Sequence, residues 1–136
     1  MQKEFINPDA LGDYSERFSQ VVAVTAGGIK RIWVSGQVAI DKAGQLVGGE
    51  DHGAQAEQAY QNLSLALEGA GASTADVVKV TTYVVGYDRE KIGPVGEAMG
   101  RYFTAKNRPA STMVWVASLI SRRFLIEVEA EAVVEV

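Results

Sequence analysis

The sequence contains no cysteine. Disulfides, thiolate nucleophiles and cysteine-ligated metals are therefore excluded. It contains a single histidine, His52. One chain cannot then assemble a histidine-rich metal site, and a Ser-His-Asp triad would have to use His52. An excess of positive charge is also missing: 13 Lys and Arg face 17 Asp and Glu, for a formal net charge of -4. Phosphate backbones are gripped by clustered Lys and Arg, so this balance weighs against nucleic acid as a partner. No apolar run approaches the ~20 residues of a membrane span. The opening residues Met1-Gln2-Lys3-Glu4-Phe5 show no apolar signal core. The expectation is a cytoplasmic protein with no membrane partner.

What is present fits one domain over residues 1–136, with 47% hydrophobic residues. A domain of this size buries roughly two-thirds of the surface of its unfolded chain, enough for a true core. Residues 19–26 and 31–38 read as two strands joined at Gly27-Gly28, where glycine accepts a positive φ cheaply. Asp41-Lys42-Ala43-Gly44 is a second turn. Residues 51–69 read as a helix: Ala56, Ala59, Tyr60, Leu63, Leu67 and Ala70 recur at the helical period, with Asp51 as N-cap and Gly69 and Gly71 as stop signals. Residues 77–85, rich in Val, Thr and Tyr, predict a strand. Residues 88–104 predict a second helix, with Asp88 as cap and Ile92, Val95, Met99, Tyr102 and Phe103 as its buried face; Pro94 and internal glycines blur its start. Strands follow at 111–119 and 124–135, the last alternating Ile126, Val128, Ala130, Ala132 and Val134 with Glu127, Glu129, Glu131 and Glu135.

The order ββαβαββ implies an α+β fold with one mixed sheet and both helices on one face. Several strands carry apolar residues on the other face as well, and an open apolar sheet face is normally hidden by another subunit. An oligomer is expected; the alternative is a solvated second face that carries the glutamates.

Several short elements then stand in a telling order. Asn7-Pro8 precedes the first strand, and Val34-Ser35-Gly36-Gln37 lies on the second, followed by Gly44. Gln55, Gln58 and Asn62-Leu63 mark the first helix, and Gly69-Ala70-Gly71 leads to Asp76-Val77-Val78-Lys79-Val80-Thr81. Arg108-Pro109-Ala110-Ser111 precedes the fifth strand and Ile126-Glu127-Val128-Glu129-Ala130 ends the pattern. Across nearly the whole chain this resembles the RidA/YjgF family, also called L-PSP endoribonuclease or reactive-intermediate deaminase. The resemblance implies a chorismate-mutase-like homotrimer around a central barrel, with small-molecule clefts between subunits. It implies hydrolysis of enamines and imines to a keto acid and ammonia, with no cofactor and no metal.

The same resemblance assigns roles. Glu127 matches the glutamate that holds the attacking water; a surface glutamate on an alternating strand is the other reading. Ser35 matches a serine that binds the ligand's carboxylate, and Gly36 allows close approach of a ligand or a neighbouring strand. Tyr14 or Phe18 matches an aromatic residue lining the cleft. The arginine that clamps the substrate carboxylate is replaced by Ser111, and an asparagine of the second helix by Gly96. A serine donates one hydrogen bond and brings no charge, so the small 2-imino acids of the family lose their usual grip here. Arg108, Arg122 and Arg123 are alternative sources of charge, and Trp115 a possible stacking surface or core residue. His52 reads as an exposed residue of the first helical turn, with a general-base role as the alternative. The partner expected is a small acidic metabolite, bound by a deaminase-type hydrolase; a non-catalytic metabolite-binding trimer is the runner-up, and an RNA-acting protein the weakest reading.

Overall fold

In the computed structural model, which describes all 136 residues, six strands and two helices form. Strands β1 (Gln2–Ile6), β2 (Val21–Ala26) and β3 (Ile29–Val38) precede helix α1 (His52–Gly69). Strand β4 (Val77–Val85), helix α2 (Ile92–Tyr102) and strands β5 (Ala110–Val116) and β6 (Ile126–Glu135) complete the chain. The sheet order is β1-β2-β3-β6-β4-β5. Only β4 and β5 run parallel, because α2 carries the chain across between them; every other neighbouring pair is antiparallel.

The expected α+β fold with one mixed sheet is present, with one strand more than the pattern showed. β1 pairs with β2, Phe5 opposite Val22 and Lys3 opposite Val24. Its sequence, Gln-Lys-Glu-Phe-Ile, has too few apolar residues to announce a strand; edge pairing makes it one. The β2–β3 turn places Gly27 and Gly28 at φ +59° and +79°, the two positive values that a tight hairpin of this twist requires. Other boundaries shift. β5 stops at Val116 rather than 119, and β6 starts at Ile126 rather than 124, because residues between them form turns. The second helix splits into a single 3-10 turn at Arg89–Lys91, capped by Asp88, and α2 proper, whose first turn tolerates Pro94. Val95 and Ala98 are its buried residues, while Ile92 is only half-buried.

The core lies between the sheet and the helices. The predicted α1 stripe is buried throughout, with Tyr60, Leu63 and Leu67 meeting Ile32, Val80, Ile126 and Val128 of the sheet. Asp51 caps α1 by accepting from the Ala54 N–H at 2.8 Å. Three buried polar side chains on the same helix face, Tyr60, Gln55 and Asn62, make hydrogen bonds. Tyr60 Oη and Thr82 Oγ1 share a hydrogen bond of 2.7 Å, and burial pushes the Tyr60 hydroxyl up to about 12. Gln55, fully buried, donates to the carbonyls of Gly49 (2.6 Å) and Arg123 (2.9 Å) and accepts from the Leu125 N–H (2.8 Å). It thereby pins the turn before β6 onto α1. Asn62 donates to the Val38 and Ile40 carbonyls and holds the end of β3 in the same way.

The opposite sheet face has no helix on it. By register it presents Phe5, Val22, Trp33, Arg31, Glu127, Glu129, Glu131, Val133, Lys79, Thr81, Tyr83 and Val114. Phe5, Trp33, Val114 and Val133 are exposed there, so the face is neither fully apolar nor fully polar.

Candidate functional site

Strands β3 and β6 pair one-to-one from Ile29–Glu135 to Val34–Ala130, and pairing resumes only at Gln37–Val128. Ser35 and Gly36 thus stand against Glu129 alone, a bulge that bends β3 and re-aims its side chains. Ser35 Oγ donates to the Ser19 carbonyl at 2.6 Å, and its N–H donates to the Gln20 carbonyl at 2.9 Å. The Ser35 hydroxyl proton therefore ties down the segment entering β2, which leaves its lone pairs for a ligand donor. At Gly36 a β-carbon would stand 2.8 Å from Glu127 Cδ and 3.1 Å from Cγ. The close approach expected of this glycine is therefore made by the chain's own Glu127, whose carboxyl lies over the bare backbone.

Glu127 pairs across the sheet with Tyr83, and Glu129 with Thr81. The Tyr83 hydroxyl donates to Glu129 Oε1 at 2.5 Å. Burial pushes the Glu127 carboxyl above the ordinary glutamate value, and the nearby Glu129 carboxylate pushes it further the same way. Its hydrogen bond to Glu129, more than burial, raises the Tyr83 hydroxyl. A carboxylate shifted towards neutrality holds a proton better and is a stronger base when ionised. Beside this cluster the open face carries a hollow of about 230 Å³ whose lining includes Trp33, Ser35, Lys79, Thr81 and Glu129. Sequence reading found Glu127, Ser35 and Gly36 but missed Tyr83 and Glu129 as partners; their link depends on strand register, which spacing does not reveal.

The remaining predicted residues divide into separate places. Tyr14 and Phe18 stack on each other, ring centres 5.7 Å apart, in the segment that leads to Ser19. Tyr14 also lines a small cavity of about 20 Å³ with Gln20, Gln37 and Asn62. Trp115 pairs with Val84 and so faces the helix side, half-buried, with Tyr87 tilted against it at 5.3 Å. It does not meet Glu127 within the chain. Ser111 pairs with Val80, again on the helix side, and lines a cavity of about 330 Å³ that includes Gly96, Met99, Phe103 and Arg108. Ser111 and Glu127 are thus on opposite faces of one sheet. The side chains of Arg122 and Arg123 are exposed and make no ion pair; the Arg123 backbone is engaged, its carbonyl by Gln55 and its N–H by Ser121 Oγ.

The reading of His52 is corrected. It is buried, 9% exposed, and its Nε2 lies 2.7 Å from the Val85 carbonyl. That carbonyl can only accept, so Nε2 carries the hydrogen and donates. Nδ1 is buried without a partner. The residue ties the start of α1 to the end of β4; the sequence placed it in solvent because a first-turn position gives no sign of the strand end that covers it. No group of three or more His, Asp or Glu side chains gathers to hold a metal ion, and no helix is long and apolar enough to cross a membrane.

Fold and site together define a one-sheet α+β domain in which a strand carboxyl, Glu127, is seated over a bulge glycine. The model of the family described as Endoribonuclease L-PSP matches residues 7–134. The chain belongs to this family, the RidA/YjgF proteins. A RutC family protein of Pyrococcus horikoshii is 36% identical over 126 residues, covering 92% of this chain and 90% of its own. The 2-iminobutanoate/2-iminopropanoate deaminase of Rattus norvegicus is 39% identical over 127 residues, covering 93% and 83% respectively. Among solved structures, a Thermotoga maritima MSB8 protein at 37% identity superposes with a TM-score of 0.82 over 100% of both chains. RidA from an Antarctic Psychrobacter gives 0.79 at 28% identity, over 96% of this chain and 99% of its own.

Proposed function

We propose that the protein is an enamine/imine deaminase-type hydrolase acting on a small acidic metabolite, with Glu127 as the base. The observation that carries this reading is the half-buried Glu127 carboxyl, raised in proton affinity and held over Gly36 beside the Tyr83–Glu129 pair. Family membership supports it, since relatives are named as 2-iminobutanoate/2-iminopropanoate deaminases. The step balances without a cofactor. Water attacks the C=N carbon, its oxygen forms a C–O bond, and Glu127 accepts the proton. Glu127 passes that proton to the carbinolamine nitrogen, the electron pair of the C–N bond leaves with ammonia, and the hydroxyl O–H proton returns to Glu127 as the C=O of the keto acid forms. The reaction is served by a homotrimer in the cytoplasm: a second copy covers the open face and brings its own α2–β5 cavity to the Glu127 side, joining groups that one chain holds apart.

A second reading is a trimer that binds the metabolite without turning it over. It is favoured by Ser111, which offers no charge to a substrate carboxylate. Ammonia release from freshly generated 2-aminoacrylate and 2-aminomuconate decides between them. Turnover that Glu127→Gln abolishes supports the hydrolase; saturable binding of imines with no turnover supports the binder, and turnover unchanged in Glu127→Gln removes Glu127 from the chemistry.

A further inference from the structure

The cavity between α2 and β5 combines three features that no single structural need explains. Its lining contains Arg108, and the chain's two salt bridges, Lys30–Glu4 and Arg101–Glu57, leave that guanidinium without a carboxylate. The hydroxyl residues Ser111 and Thr104 lie in the same wall. The rest of the wall is apolar or bare and includes Met99, Phe103, Gly96 and Gly100. A β-carbon at either glycine would meet nothing within 4 Å. Glycine inside a helix costs about 1 kcal/mol relative to alanine, so the fold itself gains nothing from these two. Their effect is to keep the cavity, about 330 Å³, open.

We infer that Arg108 is the carboxylate-binding residue of this chain and that the space kept by Gly96 and Gly100 receives a branched or bulky apolar side chain of the bound 2-imino or 2-oxo acid. The inference rests on the deaminase reading for the identity of the reacting group, but not for the binding itself. Guanidinium pairs with carboxylate through two parallel N–H···O bonds, which a serine hydroxyl cannot match. Arg108 stands three residues before Ser111, across Pro109-Ala110, so charge is supplied to the same cavity from the entry of β5. Met99 and Phe103 then face the apolar part of the ligand. A short imino acid would leave that part of the cavity unfilled.

The test is equilibrium binding of 4-methyl-2-oxopentanoate, a stable product-like acid, and of 4-methyl-2-pentanone, which lacks the carboxylate. Calorimetry is run on the full-length protein, wild type, Arg108→Gln, Gly96→Leu and, as a surface control, Lys106→Gln. The acid should bind the wild type and the Lys106→Gln control alike, and Arg108→Gln at least about tenfold more weakly, a loss of charge-assisted hydrogen bonding. The ketone should not distinguish Arg108→Gln from wild type. Gly96→Leu, which adds bulk where nothing stands, should weaken both ligands and leave the melting temperature unlowered. Unchanged acid binding by Arg108→Gln, or no saturable binding to the wild type, overturns the inference. Ammonia release is measured on the same samples. Arg108-dependent binding without release leaves the inference standing and removes the hydrolase; release that Arg108→Gln does not alter does the reverse.

Discussion

Replacing Gly36 by alanine isolates the contact on which the proposed chemistry depends. Gly36 is absent from the positive-φ glycines, so an alanine there suffers no backbone strain and its cost is steric. The new methyl would lie 2.8 Å from Glu127 Cδ and 3.1 Å from Cγ. Carbon atoms rest at about 3.5–4.0 Å, so the carboxyl must retreat by roughly 0.7 Å or more. A misplacement of about 1 Å costs on the order of 100-fold in rate, close to 2.7 kcal/mol of transition-state stabilisation. The fold should lose about 1–3 kcal/mol, the usual cost of one overpacked methyl, and less if the carboxyl swings outward. Ammonia release and denaturant melts of Gly36→Ala, Glu127→Asp and the double variant measure both effects. Shortening Glu127 by one methylene makes room for the methyl, so the double variant should be more stable than the sum of the single changes predicts, with a coupling of about 0.5 kcal/mol or more. Additive stabilities, or a Gly36→Ala protein with wild-type turnover, would refute the reasoning that Gly36 exists to seat Glu127.

Other consequences follow from the same contacts. Gln55→Leu should cost about 3 kcal/mol, because the Gly49 and Arg123 carbonyls and the Leu125 N–H lose their partner together; urea melts check this, and a loss under about 1 kcal/mol would mean water replaces the amide. Glu127 binds its proton more tightly in the folded chain than in the unfolded one. Its contribution to stability is therefore greatest below the unfolded carboxylate range and is lost as pH rises through the raised folded value. Glu127→Gln never ionises, so it should melt higher than wild type at pH 7, with the gap closing below the ordinary carboxylate range; a gap that widens on acidification contradicts the stated burial of this carboxyl. In the wild type, turnover should fall as pH drops through that same raised value, above the range of an exposed glutamate.

Much of the fold was legible because its causes are local. The two glycines of the β2–β3 turn, the α1 stripe with its Asp51 cap and the alternation of β6 each follow from short-range rules, and each is found. β1 was not legible: Phe5 and Ile6 give no alternating pattern, and only pairing with Val21–Thr25 makes the segment a strand. The site was legible in part. Glu127, Ser35 and Gly36 do come together, because two neighbouring strands carry them. The link between Tyr83 and Glu129 escaped notice since it is set by the β4–β6 register and by the bulge at Ser35-Gly36. His52 was misplaced for a related reason, as the Val85 carbonyl that covers it is 33 residues away in sequence. Ser111 and Trp115 fall on the far face of the sheet from Glu127, a separation that no spacing within one chain discloses.

That separation makes mixed assembly the sharpest test of the account. Glu127→Gln removes the proposed base and Gly96→Leu fills the cavity; on the proposed reading neither protein should release ammonia from a substrate that the wild type turns over. The two are then unfolded together, refolded as a mixture, and assayed. If each site joins Glu127 of one copy to the α2–β5 cavity of the next around a closed ring, random assembly leaves about a quarter of the sites with both halves intact, and about a quarter of wild-type turnover should return. A mixture no more active than its two parents would contradict the claim that the site is built between subunits.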